Sequence, residues 1–149
     1  ARMTAPKAIL AIDFGGRRIG IASGSVVAGT SSRITTLQAD NGVPKWAQLD
    51  SIINEWLPDL LVVGMPYNMD GTESAMSVRA KEFATTLADR YDLPVDTVDE
   101  RLTSTEAKSI LKEQRRLGIK TKKINKSDID SLAACLIADS WLQMQQNIK

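Results

Sequence analysis

The stretch Lys7-Ala-Ile-Leu-Ala-Ile-Asp13-Phe-Gly-Gly16 decides how this chain is read. Five apolar residues lead into a carboxylate, and two glycines follow. An apolar run of this length, closed by a glycine turn, reads as a buried strand. A buried strand that ends in Asp delivers a charge where no core accepts one. Burying an unpaired carboxylate costs several kcal/mol. Asp13 therefore calls for a cationic partner, either a metal ion or a phosphate-bound metal.

Outward from this strand, Arg18-Ile-Gly-Ile-Ala22 reads as a hairpin partner, with Gly15 and Gly16 in the turn. A third strand falls within residues 30–38. From Pro44 to Trp56, apolar residues at Trp46, Leu49, Ile52, Ile53 and Trp56 form a helical stripe, which Pro58 ends. Leu60-Leu-Val-Val-Gly64 is a second buried strand. Asn68, Asp70 and Gly71 read as a turn capping the next helix, at 73–91, whose apolar positions include Met76, Ala80, Phe83, Ala84 and Leu87. Pro94-Val-Asp-Thr-Val98 is a short strand followed by two acids, Asp99 and Glu100. Thr103-Ser-Thr-Glu106 fits a capping box opening a helix to about Leu117. A lysine-rich loop spans 118–126, and a last helix runs from about Ser127 to Gln145. Trp46, Trp56 and Trp141 all fall on helical apolar stripes and read as core. No repeat, low-complexity tract or linker interrupts this α/β pattern, so residues 1–149 read as a single domain.

Composition narrows the chemistry. The chain is 43% hydrophobic and 25% charged, ordinary for a soluble globular protein. No apolar stretch reaches the roughly 18 residues of a membrane span, and no signal peptide is read. The single cysteine, Cys135, cannot form an internal disulfide, which points to the cytoplasm. There is no histidine, so Ser-His and Cys-His catalysis and histidine-based metal sites are excluded. The common zinc sites go with them. An enzyme built from this chain works with carboxylates, lysines or hydroxyls. Carboxylate oxygens are hard ligands that suit Mg²⁺ or Mn²⁺.

Acids recur at strand ends: Asp13 after the first strand, Asp99-Glu100 after a later one. Asp130 opens the last helix. Sites in α/β sheets form at strand ends, so three carboxylates from distant parts of the chain can meet at one edge. Of Asp99 and Glu100, alternation turns one toward such a site and the other away. Ser127-x-x-Asp130 also fits a capping box, and Asp128 competes with Asp130. Arg18 either contacts a phosphate or decorates a hairpin. Residues 112–126 carry seven cations (Lys112, Arg115, Arg116, Lys120, Lys122, Lys123 and Lys126) against one acid, Glu113. The whole chain is only +1, so its charge is polarised, with the positive end just before Asp130. A charge run beside a proposed metal site suits tracking of a phosphate backbone.

Four motifs resemble the YqgF (RuvX) family of the RNase H-like superfamily. They are Asp13-Phe-Gly-Gly-Arg-Arg-Ile-Gly-Ile-Ala22, Gly64-Met-Pro-Tyr-Asn-Met-Asp-Gly-Thr-Glu73, Asp99-Glu-Arg-Leu-Thr-Ser-Thr-Glu-Ala107 and Asp130-Ser-Leu-Ala-Ala134. The resemblance implies an α/β, RNase H-like fold: a mixed five-stranded sheet flanked by helices. It implies a metal-dependent nuclease using Mg²⁺ or Mn²⁺, with Asp13, Glu100 and Asp130 as catalytic metal ligands. Members are described as nucleases maturing the 5′ end of precursor 16S rRNA, which implies structured RNA and pre-ribosomal particles as partners. Arg18, Arg101, Arg115, Arg116, Lys120, Lys122, Lys123 and Lys126 are the expected nucleic-acid contacts. Two alternatives stand beside this reading. One is a Holliday-junction resolvase, which would act on branched DNA as a homodimer rather than a monomer. The other is a non-catalytic RNA-binding assembly factor. A sugar-kinase or actin-like ATPase also places Asp and Gly after a first strand, but needs two lobes that 149 residues cannot supply.

Overall fold

A computed structural model describes residues 6–68, 70–99 and 126–146, with side chains in the last stretch for 130–145. β1 (Ala8–Asp13) and β2 (Arg18–Ser25) form the expected antiparallel hairpin. β2 pairs antiparallel with β3 (Thr30–Asp40), which continues into the two-residue β4 (Val43–Pro44). On the other side of β1 lie β5 (Leu60–Met65) and β6 (Val95–Asp99), both parallel to it. The sheet order is β4-β3-β2-β1-β5-β6. The helices among the described residues are α1 (Trp46–Trp56), α2 (Ala75–Tyr91) and α3 (Lys126–Gln146). This is the mixed α/β sheet flanked by helices that the resemblance implies, with β4 as a sixth, minimal strand.

Alternation along β1 explains the layering. Leu10 and Ile12 face α1 and α2, where Leu49, Ile53, Phe83 and Leu87 complete one core. Ile9 and Ala11 face α3 and pack with Val62, Val98, Ile137 and Trp141 in a second core. β1 and β5 are covered on both faces, which is why they read as unbroken apolar runs. Each fully buried Ile or Leu contributes about 1.5–3 kcal/mol. Trp141 fastens α3 to β6, because its buried indole N–H donates to Asp96 Oδ2 at 2.9 Å. No helix among the described residues is long and apolar enough to cross a membrane.

Several boundaries differ from expectation. β3 runs to Asp40, because Asn41 (φ 51°) and Gly42 (φ 84°) make a tight two-residue hairpin into β4. α1 stops when Leu57 turns left-handed (φ 47°), one residue before Pro58. Trp56, expected in the core, stands 41% exposed on the last turn of α1. α2 starts at Ala75, after a reciprocal capping box of Ser74 and Ser77. The Asn68–Thr72 turn precedes that cap instead of supplying it. Lys126 and Ser127 are already helical, so Ser127 lies inside α3 instead of at the expected N-cap, and Asp130 lies past the first turn. The helix expected at 103–117 and the basic residues up to 125 lie outside the described residues.

Candidate metal centre

Asp13 ends β1 on the same face as Ile9 and Ala11, the face that α3 covers. β1, β5 and β6 run parallel, and Ile12 pairs with Val63 as Gly64 pairs with Val98. Their carboxyl ends therefore gather at one edge of the sheet. On β6, Asp96 bonds Trp141 and Val98 packs into the α3 core, so its even-numbered residues face α3. Asp99 belongs to the opposite set. Glu100 and Arg101 lie outside the described residues.

Asp130 reaches this edge by way of a glycine. Gly20 on β2 is the cross-strand partner of Asp13, and such partners sit about 4.5–5.5 Å apart at Cα. A Cβ on Gly20 would lie 2.2 Å from the Asp130 carbonyl oxygen and 2.6 Å from its carbon. Only a residue without a side chain lets the α3 backbone rest there. Asp130 is thus seated one strand away from Asp13, although 117 positions separate them in sequence. The Arg18 Nε–H donates to Asp130 Oδ2 at 2.8 Å, and the two side chains are 28% and 23% exposed.

Of the residues expected to form the site, the structure brings together Asp13, Asp130 and Arg18. Arg115, Arg116, Lys120, Lys122 and Lys123 lie outside the described residues. Lys126 is described in backbone only, about one helical turn before Asp130 on α3. Among the described residues, no three His, Cys, Asp or Glu side chains form a metal-binding group. What is present is two hard carboxylate donors at one sheet edge, a donor type that suits Mg²⁺ or Mn²⁺.

Cys135 belongs to different surroundings on α3. Its half-buried thiol lies 2.8 Å from Ser31 Oγ, and the Ser31 hydroxyl donates to Asp139. Burial pushes the thiol pKa up, which keeps it protonated and unsuited to nucleophilic work. Gly20 is the residue at this edge that sequence reasoning passed over. Its signal was a glycine inside a strand, which can mark a close backbone approach.

A family model described as "RuvX: Holliday junction resolvase" matches residues 7–144. A protein of Glaesserella parasuis serovar 5 named "Putative pre-16S rRNA nuclease" is 47% identical over 137 residues, covering 92% of this chain and 96% of its own. A protein of Pseudomonas putida with the same name is 46% identical, covering 91% and 94%. Among solved structures, Thermus thermophilus RuvC in complex with a Holliday junction substrate aligns with a TM-score of 0.55 at 17% identity, covering 93% of this chain and 96% of its own. The yeast mitochondrial Holliday junction resolvase Ydc2 also gives 0.55, at 13% identity, covering 98% and 82%. At these identities the structural likeness establishes the RNase H-like fold alone.

Proposed function

The chain belongs to the RuvX family of nucleases, and from that membership we propose that it cleaves structured RNA at the 5′ end of precursor 16S rRNA. The observation that carries the proposal is the seating of Asp130 over Gly20, directly across from Asp13. Two acids from distant parts of the chain are held at one sheet edge by a contact that needs a glycine. In this reading Asp13, Glu100 and Asp130 hold Mg²⁺ or Mn²⁺ as catalytic ligands. The parity of β6 supports Glu100 over Asp99, since Asp99 belongs to the face away from α3. When bound, divalent ions polarise the scissile phosphate and activate the attacking water.

The remaining residues bind and orient. Arg101, Arg115, Arg116, Lys120, Lys122, Lys123 and Lys126 track the substrate backbone in this reading. Arg18, expected among them, has its guanidinium engaged by Asp130. The curated relatives' name supports precursor 16S rRNA as the substrate. The lone cysteine supports a reducing cytoplasm, and the family match across 7–144 supports reading 1–149 as one domain.

A second reading is resolution of branched DNA by a homodimer. It is favoured by the family model's description and by the shared fold of junction resolvases. Wild type and Asp13→Asn, each with Mg²⁺ or Mn²⁺, should be compared on precursor 16S rRNA and on a four-way DNA junction. Metal-dependent cleavage of the rRNA, lost in Asp13→Asn, is the expected result. Cleavage of the junction alone would select the resolvase, and undiminished cleavage by Asp13→Asn would remove the metal site. Reversing Lys122, Lys123 and Lys126 to Glu should weaken RNA binding across sequences and flatten its salt dependence in a filter-binding titration. An unchanged slope would leave that segment as a solvated face.

A further inference from the structure

We infer that Arg18 and Gly20, two residues apart on the α3 face of β2, position Asp130 for a divalent cation, and that Arg18 serves the metal site instead of the phosphate backbone. This rests on the reading of Asp130 as a ligand. Gly20 sets the height of α3, because any Cβ there collides with the Asp130 carbonyl. Arg18 sets the direction of the carboxylate, because its Nε–H takes Oδ2. Among the described residues no hydrogen bond reaches Oδ1. A carboxylate held by one oxygen presents the other in a fixed direction before any cation arrives. Hydrogen bonds to ligating carboxylates act in this way, and losing one typically costs 10–100-fold in metal affinity.

Two features argue against Arg18 as a backbone contact. Its side chain is mostly covered, whereas a residue tracking phosphates works from the open surface. Swinging it outward would also leave the part-buried Asp130 carboxylate without its cation. Its positive charge further offsets the repulsion between Asp13 and Asp130 while no metal is bound.

The test is a Mn²⁺ titration of the full chain, read by the electron paramagnetic resonance of free Mn²⁺. It uses wild type, Arg18→Met, Arg18→Lys, Asp130→Asn and the Arg18→Met/Asp130→Asn double variant. Removing a positive charge should by Coulomb's law alone tighten a nearby cation. Positioning predicts the opposite sign: Arg18→Met weakens Mn²⁺ binding by roughly tenfold, and Arg18→Lys recovers part of the loss. The double variant should bind no more weakly than Asp130→Asn alone. With EDTA present, Arg18→Met should bind a short RNA hairpin with an unchanged salt slope, whereas a lost phosphate contact would lower that slope by roughly one.

Mn²⁺ binding in Arg18→Met equal to or tighter than wild type would overturn the inference. If Asp130→Asn itself binds Mn²⁺ like wild type, the ligand reading fails and the inference falls with it. Weakened binding in Asp130→Asn but not in Arg18→Met rejects the inference alone. Should Arg18→Met fail to melt cooperatively, Arg18→Lys carries the test with a smaller weakening expected. Loss of cooperative melting in both would make the ion pair a folding element and overturn the assignment.

Discussion

Among the described residues, two Arg–Asp pairs lie on opposite faces of the sheet, and they are built differently. On the α1–α2 face, Arg90 grips Asp50 with two parallel bonds, Nε to Oδ1 at 2.9 Å and Nη2 to Oδ2 at 2.7 Å. The Tyr91 hydroxyl adds a third at 2.6 Å, and the guanidinium lies 4.7 Å from the centre of the Trp46 ring. Both carboxylate oxygens are used. On the α3 face, Arg18 makes a single bond to one oxygen of Asp130. The Asp130 pair is also the more covered, at 28% and 23% exposure against 39% and 37%. Stability alone would favour the reverse, since a carboxylate removed from water needs more hydrogen bonds. Asp130, with one side-chain bond among the described residues, lies at the gathered strand ends, opposite Asp13. The Asp50 pair ties α1 to α2, and in the reading proposed above the Asp130 pair keeps one carboxylate oxygen for a cation.

The largest effect expected from this contrast is on cleavage. Asp130→Asn should slow phosphodiester hydrolysis by at least about a hundredfold, or roughly 2.7 kcal/mol of barrier, with its fold intact. Asp50→Asn, the same chemical change at the other pair, should leave the rate unchanged. Equal losses in a single-turnover assay of both variants would erase the functional distinction between the two pairs.

The next effect is on stability, and it sharpens the role of β2. Gly20→Ala places a methyl group against backbone atoms of α3, which cannot rotate away. It should cost about 1–3 kcal/mol and reduce the melting-temperature gain from Mn²⁺. Gly24→Ala on the same strand meets the Cγ1 and Cδ1 atoms of the buried Ile9 at 2.8 and 3.0 Å, side-chain atoms instead of a helix backbone. It should cost less and leave the response to Mn²⁺ unchanged. Thermal melts with and without Mn²⁺ would sink this account if the two alanines behaved alike.

These sites differ in how far the sequence revealed them. The apolar runs of β1 and β5 and the stripe of α2 were legible because burial on two faces, or on one helical face, imprints a period on the chain. The strand-end acids were legible for the same reason, as charges interrupting that period. Trp56 misled because a stripe shows which face is apolar but not where the partner layer ends. β4 went unread although Asn41-Gly42 carries the hairpin signal. The seating of Asp130 was not legible at all. It depends on a contact between Gly20 and a helix far along the chain, and strand glycines mark bulges, bends and close approaches alike. The partner of Arg18 was hidden for the same reason, since 112 positions separate it from Asp130.

A smaller effect tests the Asp50 pair directly. Arg90→Lys removes the planar fork and much of the stacking on Trp46 while keeping the charge. It should lower the melting temperature modestly and leave Mn²⁺ binding unchanged. Arg18→Lys should do the reverse, with weaker Mn²⁺ binding and little change in melting without metal. If both variants lose only stability, the Asp130 pair is structural too.

The smallest expected effect is confined to acid. The Arg90 guanidinium, through its hydrogen bonds, and then the Tyr91 hydroxyl hold the Asp50 carboxyl down from 3.8 to about 2. A depressed folded-state pKa means that the unfolded chain binds the proton first as the pH drops. The stabilisation is therefore complete above about 3.8 and is lost as the pH falls toward about 2. Asp50→Asn abolishes this titration, so its stability should fall less steeply with acid across that window than wild type does. The slope should not vanish. The Asp59 carboxylate is also held below its ordinary range, chiefly by the Lys7 backbone N–H and then that of Ala8, and it titrates in the same direction. Urea midpoints measured at both ends of the window give the comparison. Parallel slopes in wild type and Asp50→Asn would mean that the three hydrogen bonds on Asp50 do not distinguish the folded from the unfolded carboxylate, and the contrast with Asp130 would lose its closed member.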